Sequence, residues 1–137
     1  MAESASIRQT ASTTASSVSR MGQVSYTRRR NRAEHLMNKG IEDALSKHPL
    51  YSQDGRGDDA DIVVKYFNPY GRGTWYVLEG DKRDNGDWEL YGIADLGYGQ
   101  EYGYFMLSEL ENLRPTPWGG IERDMYFGKK KVRDIRK

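Results

Sequence analysis

Glycines and aromatic residues are concentrated in one stretch of this chain, Tyr91–Phe105, which reads YGIADLGYGQEYGYF. A glycine-rich loop binds phosphate when it follows a strand, opens a helix and spaces its glycines G-x-G-x-x-G. Gly97 and Gly99 fit the first two positions, but Tyr102 occupies the third, and the residues after it alternate like a strand. The chain also lacks the Gly-Lys-Ser/Thr of a P-loop. The stretch therefore predicts a hairpin turn in which glycine tolerates positive φ.

Carboxylates and histidines are the other side chains that could do chemistry. An acid cluster consists of Asp54, Asp58, Asp59 and Asp61. Its spacing does not follow the alternating ligand positions of an EF-hand loop, so solvated turn acids are the favoured interpretation. His35 and His48 form no H-x-x-x-H pair, and no G-x-S-x-G motif accompanies them. With no cysteine either, we expect no enzyme, no metal and no cofactor.

Basic residues are concentrated at the two ends of the chain. Residues 1–50 carry eight Lys/Arg against four Asp/Glu, residues 51–128 seven against fifteen, and residues 129–137 six against one. The densest clusters are Arg28, Arg29, Arg30 and Arg32, and Lys129, Lys130 and Lys131. Such clusters can contact several phosphates and make binding salt-dependent. They are candidate nucleic-acid or partner-binding residues; the alternative is that basic ends only aid solubility.

A second candidate site is the tripeptide Glu122-Arg123-Asp124. In a strand, Glu122 and Asp124 share one face and Arg123 takes the other. The tripeptide is either a set of ion pairs across strands at a sheet edge or a polar patch that faces a partner. The first interpretation is favoured.

A flexible arm and one helix precede the sheet. The first 33 residues hold eleven Ser/Thr, six Arg and one acidic residue, too little apolar surface to offset the entropy of ordering. Ala33–Lys47 has apolar residues at helical spacing, and Pro49 ends the pattern.

The rest of the chain has the period of strands. Segments 60–67, 73–79, 87–94 and 102–107 alternate with period two and are separated by turn residues. Ser108 and Glu111 fit a capping box, with Ser108 as N-cap and Glu111 at N3 of a short helix that stops before Pro115. Ile121–Phe127 predicts a last strand.

These elements predict one α+β domain at residues 34–128, between a flexible basic arm (1–33) and a basic C-terminal tail (129–137). Fifteen of the sixteen aromatic residues lie within 51–127, which places the core there. Short strands with tight connections favour a small twisted antiparallel sheet of about four to five strands, with one or two helices packed on one face. No apolar run approaches the ~18 residues of a membrane span. We therefore expect no membrane association and a cytoplasmic location.

Several ordered motifs resemble a bacterial family described as domain of unknown function 2958. They are PLYSQDGRGDDADIVVKYFNP, TWYVLEGD, YGYFMLSELENLR and IERDMYF, and the similarity covers roughly Leu36–Phe127. The Ser/Thr-rich arm lies outside it. The resemblance implies a small α+β domain, often carried by phages, plasmids and other mobile elements, with no assigned activity and no catalytic residues to carry over.

The sequence thus favours a non-enzymatic accessory protein of a phage or mobile element. It would bind a host or phage protein through its acidic, aromatic-bearing body, with counter-defence as one role. The alternative is a nucleic-acid-binding protein that uses the basic N-terminal arm and C-terminal tail. The oligomeric state does not follow from the sequence.

Overall fold

The computed structural model describes residues 35–136. The predicted arm, including Arg28, Arg29, Arg30 and Arg32, lies outside them. The described elements, in chain order, are α1 (Lys39–Ser46), a 3-10 turn (Gly57–Asp59), β1 (Asp61–Ile62), β2 (Val64–Phe67), β3 (Thr74–Lys82), β4 (Trp88–Asp95), β5 (Gln100–Met106), α2 (Leu107–Asn112), β6 (Glu122–Arg123), β7 (Lys130–Lys131) and a second 3-10 turn (Val132–Asp134).

The strands form an antiparallel sheet of five, in the order β5-β4-β3-β2-β6, while β1 pairs antiparallel with β7. Sequential hairpins connect β2, β3, β4 and β5, as the short turn segments between them predict. The predicted α+β class, with an antiparallel sheet and two helices, is confirmed.

Both helices cover one face of the sheet. The N-cap Asn38 starts α1 by accepting a hydrogen bond from Ile41 N at 2.8 Å. Its buried face carries Ile41 and Leu45, and α2 buries Leu107 and Leu110. These side chains pack with strand residues into the larger core cluster. Burial of such aliphatic side chains stabilises the fold by roughly 1.5–3 kcal/mol each.

The predicted capping box of α2 is wrong by two residues. The N-cap is Met106, whose N–H donates to Glu109 Oε1 at 3.0 Å. Ser108 lies inside the first turn, where its hydroxyl donates to Asp87 Oδ2 at 2.6 Å. The hydroxyl therefore ties the helix to the β3–β4 turn, a long-range contact that a local motif cannot predict.

The opposite face of the sheet has a second, smaller core cluster, and the C-terminal segment covers part of it. Val132 is fully buried there with Ala60, Ile62, Leu78 and Ile93. The residues predicted as a basic tail are thus part of the fold over 130–136, because two apolar residues among the lysines and arginines, Val132 and Ile135, pack with this cluster.

The chain changes face near Val63. The pattern 60–67 predicts that Ile62 and Val64 lie on one face, but β1 ends at Ile62 and β2 begins at Val64. Ile62 packs in the second cluster, whereas Val64 packs in the helix-side cluster. Val63 N instead donates to Val77 O at 2.7 Å.

The backbone geometry requires glycine at two positions of the stretch Tyr91–Phe105. Gly97 lies in the β4–β5 turn with a φ of +101°, and its N–H donates a hydrogen bond to Asp95 Oδ1. At Gly92 in β4, a Cβ would lie 1.9 Å from Tyr76 O. Since Asp95 pairs with Gln100 across this turn, the stretch forms a hairpin, as its spacing predicts.

Candidate functional site: a tyrosine face on the sheet

Tyrosines lie side by side across β4 and β5 on the sheet face opposite the helices. Antiparallel register places Tyr91 opposite Tyr104 and Ile93 opposite Tyr102, and directly paired residues share a face. The C-terminal segment reaches the neighbouring part of this face, where Phe127 packs on Tyr76. The tyrosines of β4 and β5 lie beside that covered area.

The rings form one connected aromatic surface. Tyr91 stacks on Tyr102 with centroids 6.0 Å apart and contacts Tyr104 at 4.8 Å. Tyr51, from the loop after α1, extends the row to Tyr104 at 6.5 Å. Tyr51, Tyr102 and Tyr104 are 64%, 46% and 50% exposed. We call these four residues, Tyr51, Tyr91, Tyr102 and Tyr104, the tyrosine face.

Tyr51 has an unusual backbone. Its φ is +74°, and no other non-glycine residue between 35 and 136 has positive φ. A bulky side chain in this region costs of order 1–3 kcal/mol and persists only where the surroundings enforce it. The enforcing group is Glu79, which is 2% exposed. Its two carboxylate oxygens accept from Tyr51 N and Gln53 N, each at 2.8 Å.

A buried glutamine completes the support for this loop. Gln53 Nε2 donates to Asp61 O at 2.8 Å and to Leu78 O at 2.9 Å, and its Oε1 accepts from Asp61 N at 2.6 Å. Satisfied buried polar networks fix one geometry, because an unpaired buried group costs about 1–3 kcal/mol. Glu79 and Gln53 therefore fix the backbone of the loop that carries Tyr51.

The surroundings of Tyr91 and Tyr104 raise the pKa of both phenols and so favour their neutral form. A hydrogen bond with Tyr51, followed by partial burial, raises the pKa of Tyr104 to about 12. Partial burial is the main cause that raises the pKa of Tyr91, and the charges of Glu79 and Asp54 act in the same direction. The tyrosine face thus offers neutral rings and hydroxyls beside carboxylates, a surface suited to polar and cationic side chains.

Three residues of the predicted basic tail lie beside acidic residues in the structure. Lys131 Nζ lies 2.8 Å from Asp61 Oδ1, Arg133 pairs with Asp59, and Arg136 lies 3.9 Å from Asp58. The acid cluster and the basic segment therefore pair with each other. Across residues 35–136, fourteen Lys/Arg stand against eighteen Asp/Glu, so this part has a net charge of −4.

Of the three candidate lysines, Lys129 and Lys130 are exposed and Lys131 is half-buried. They line a cleft of about 610 Å³ together with His48 and Asp61. Lys130 Nζ lies 5.5 Å from the centre of the Phe127 ring. The hydrogen bond from Lys131 is the main cause that holds the pKa of Asp61 below its usual value. An ionised carboxylate held in this way stabilises the fold and is a poor general base.

The candidate polar patch is positioned at the β6 edge of the sheet. Arg123 Nε donates to His35 O at 3.0 Å, and Asp124 lies 3.4 Å from Lys65 Nζ in the neighbouring strand β2. Glu122 stands opposite Phe67. The contacts of Asp124 correspond to the favoured interpretation of ion pairing across strands. Within residues 35–136 no group of three or more His, Asp or Glu is arranged to hold a metal ion.

Sequence reasoning missed the tyrosine face. The alternation of Tyr102 and Tyr104 around Gly103 was a usable signal, since residues two apart in a strand share a face. Nothing local links Tyr51 to Glu79, which lies 28 positions further along the chain. No helix within 35–136 combines the length and apolar character needed to cross a membrane.

Three comparisons with known proteins give one match, which is to a family model. A search of curated proteins found no match, and neither did a search of solved structures. The family model described as "Protein of unknown function (DUF2958)" matches residues 36–133, which are 98 of the 137 residues. The match includes the hairpin with the tyrosine face, the loop of Tyr51 and strand β7. The chain therefore belongs to the DUF2958 family.

Proposed function

We propose that this chain is a non-enzymatic accessory protein of a phage or other mobile element. It binds a host or phage protein, and the tyrosine face is the contact surface. Counter-defence, in which the acidic body blocks a site on a host defence protein, is the role we assign to such binding.

The observation that carries the proposal is the strained backbone of Tyr51, which hydrogen bonds hold in place beside three further tyrosines. Tyrosine is enriched in binding hot spots because it combines a large apolar area with a hydroxyl and little rotamer entropy. A surface held rigidly before binding loses less entropy on association. Glu79 and Gln53 supply that rigidity at a cost in backbone strain, and the tyrosine face is what they position.

The charge of the described domain supports a partner with a basic contact surface. Neutral phenol rings attract Arg and Lys side chains through their π faces. The negative charge of Asp54 helps to raise the pKa of both Tyr91 and Tyr104, so its field at the tyrosine face favours a cationic partner. An arginine-bearing segment fits this combination best, since a guanidinium both stacks on rings and donates to carboxylates.

Affinity capture with tagged full-length protein tests the proposal. The test variant carries Tyr51→Ala, Tyr102→Ala and Tyr104→Ala, and the control carries Trp118→Ala and Tyr126→Ala, two exposed aromatic residues outside the tyrosine face. We expect the wild type and the control to retain one stoichiometric protein from host or phage-infected lysate, and the test variant to lose it. Circular dichroism establishes that each variant is folded. Equal retention by the test variant, or no stoichiometric partner for the wild type, contradicts the proposal.

Nucleic-acid binding by the two basic ends stays a prediction. The pairing of Lys131, Arg133 and Arg136 with acids leaves fewer C-terminal charges for phosphates than the sequence suggests. A gel shift of the full chain at low and physiological salt tests it, because phosphate contacts give a steep salt dependence.

A further inference from the structure

Strand β5 is an open sheet edge. It has seven residues, pairs with β4 without a register shift, and has no strand of residues 35–136 on its outer side. Natural edge strands are protected by lysine, proline, bulges or shortness. The other edge, β6, has two residues. The sequence of β5, QEYGYFM, has neither lysine nor proline, and Glu101 is its one charged residue.

The backbone groups of β5 that face outwards can be identified. Met106 N donates to Glu109 Oε1, so this N–H does not bond to β4. Alternate residues of a strand direct their N–H and C=O groups to the same side, so Tyr104 and Tyr102 also direct theirs to the open edge. These groups are available to bond with an added strand.

A tyrosine flanks Gly103 on each side in β5, at Tyr102 and Tyr104. An antiparallel copy centred on Gly103 places Tyr102 opposite Tyr104 of the second copy, and Tyr104 opposite Tyr102. The outward-facing backbone groups of the two copies then match, because these tyrosines are hydrogen-bonded pairs in this register. Each Glu101 stands opposite Phe105 of the second copy. The two Glu101 residues lie four positions apart along the strands, about 13 Å, beyond the Debye length at physiological salt.

We propose that two copies of this chain pair through β5, antiparallel and centred on Gly103, to form one continuous ten-stranded sheet. The partner is a second copy because this register satisfies the open backbone groups, pairs aromatic with aromatic residues and separates the like charges. In the dimer the two tyrosine faces lie on the same side of the sheet and form one surface across the two-fold axis.

Gly103 provides a direct test. A Cβ at Gly103 meets no atom within 4 Å, and its φ lies outside the left-handed region, so a side chain is tolerated in the monomer. In the dimer the two residues at position 103 face each other across the axis, and like charges directly opposite are destabilising. Gly103→Glu and Gly103→Lys should each abolish the dimer, Gly103→Val should keep it, and a mixture of the two charged variants should restore it.

Sedimentation equilibrium of the full chain at about 100 µM, where a weak contact is populated, measures the outcome. We expect twice the monomer mass of 15.7 kDa for the wild type and for Gly103→Val. The single charged variants should have the monomer mass, and circular dichroism checks their folding. A monomeric wild type overturns the inference, as does a dimeric Gly103→Glu or a charged mixture that stays monomeric. The two tests remain distinguishable, because the Gly103 variants leave all four tyrosines in place and are read out as mass, whereas the tyrosine variants are read out as capture of a protein partner.

Discussion

Glu79 is the residue on which the tyrosine face depends most. Its buried carboxylate satisfies two backbone N–H groups of the loop and thereby fixes the left-handed backbone of Tyr51. A carboxylate suits this role because both of its oxygens accept hydrogen bonds. The strain at Tyr51 is thus a consequence of a contact with β3, far away in sequence.

Replacing the Glu79 carboxylate by an amide should make the loop that carries Tyr51 less stable. In Glu79→Gln, one of the two backbone N–H groups meets an NH₂ group, so a buried donor is left unpaired at a cost of about 1–3 kcal/mol. We expect a lower free energy of unfolding in urea. We also expect faster hydrogen exchange at Tyr51 and Gln53, with the core strands protected as in the wild type.

Glu101→Gln is the control for this change, since Glu101 is exposed on β5. It should shift the free energy of unfolding by less than about 0.5 kcal/mol. Unchanged hydrogen exchange at Tyr51 in Glu79→Gln would contradict the assigned role of the carboxylate.

At the scale of elements, the hairpin of β4 and β5 contains two glycines that are directly paired across the strands. The space around them differs. Gly92 pairs with Gly103 in register. Beside Gly92, β3 is bulged between Val77 and Glu79, and a Cβ at Gly92 would overlap the backbone oxygen of Tyr76. Gly103 has open space instead. The backbone of β3 beside the bulge therefore leaves no room for a side chain at position 92. No contact in the monomer requires glycine at position 103.

Alanine at the two positions should have opposite effects. Gly92→Ala forces the backbones of β3 and β4 apart and should cost about 3 kcal/mol or more, because a Cβ would overlap Tyr76 O. Gly103→Ala should be neutral or stabilise by about 0.5–1 kcal/mol, since alanine loses less entropy than glycine on folding. Thermal and urea unfolding of the two variants measure both effects. A tolerated Gly92→Ala would show that the bulge is absent in solution.

For the whole molecule, charge pairing between distant segments determines how stability responds to acid. The hydrogen bond from Lys131 is the main cause that lowers the pKa of Asp61, and that from Ser108 is the main cause that lowers the pKa of Asp87. Each carboxylate thus binds its proton less tightly in the folded chain than in the unfolded chain. The resulting stabilisation is present above the usual aspartate pKa of about 4 and is lost as pH falls through the lower folded values.

We therefore expect the urea midpoint to fall as the pH drops below the usual aspartate pKa of about 4. Lys131→Met removes the group that lowers the pKa of Asp61 most, and it should reduce stability at neutral pH while it flattens the decline in acid. Lys129→Met, at an exposed position without an ion pair in the described structure, should leave the profile unchanged. Parallel acid profiles for wild type and Lys131→Met would contradict the role of this pair.

The sequence predicted much of this fold because its signals are local. Period-two alternation located the strands of the central hairpins, and the glycine pattern of 97 and 99 predicted their last turn. Family motifs matched the chain over most of the same region. These predictions succeeded because alternation and turn chemistry depend on residues a few positions apart.

The candidate site could be predicted only in part. The tyrosines of β5 are two apart in sequence, so their shared face follows from strand geometry. Tyr51 joins these tyrosines only because its loop folds back onto β3. The C-terminal segment covers part of the same sheet face only because Val132 packs with Ile62, which lies 70 positions earlier in the chain. Charge counts treated residues 129–137 as a separate basic segment, because composition does not reveal which acids those side chains meet.

The sequence by itself determined the class of fold, the strand order of the hairpins and the lack of cysteine chemistry, since these follow from composition and from neighbours along the chain. The tertiary structure alone decided which tyrosines meet, why Tyr51 is strained and where the basic C-terminal residues lie. Those features arise from contacts between residues dozens of positions apart, whose free energy is gained only after the chain has folded.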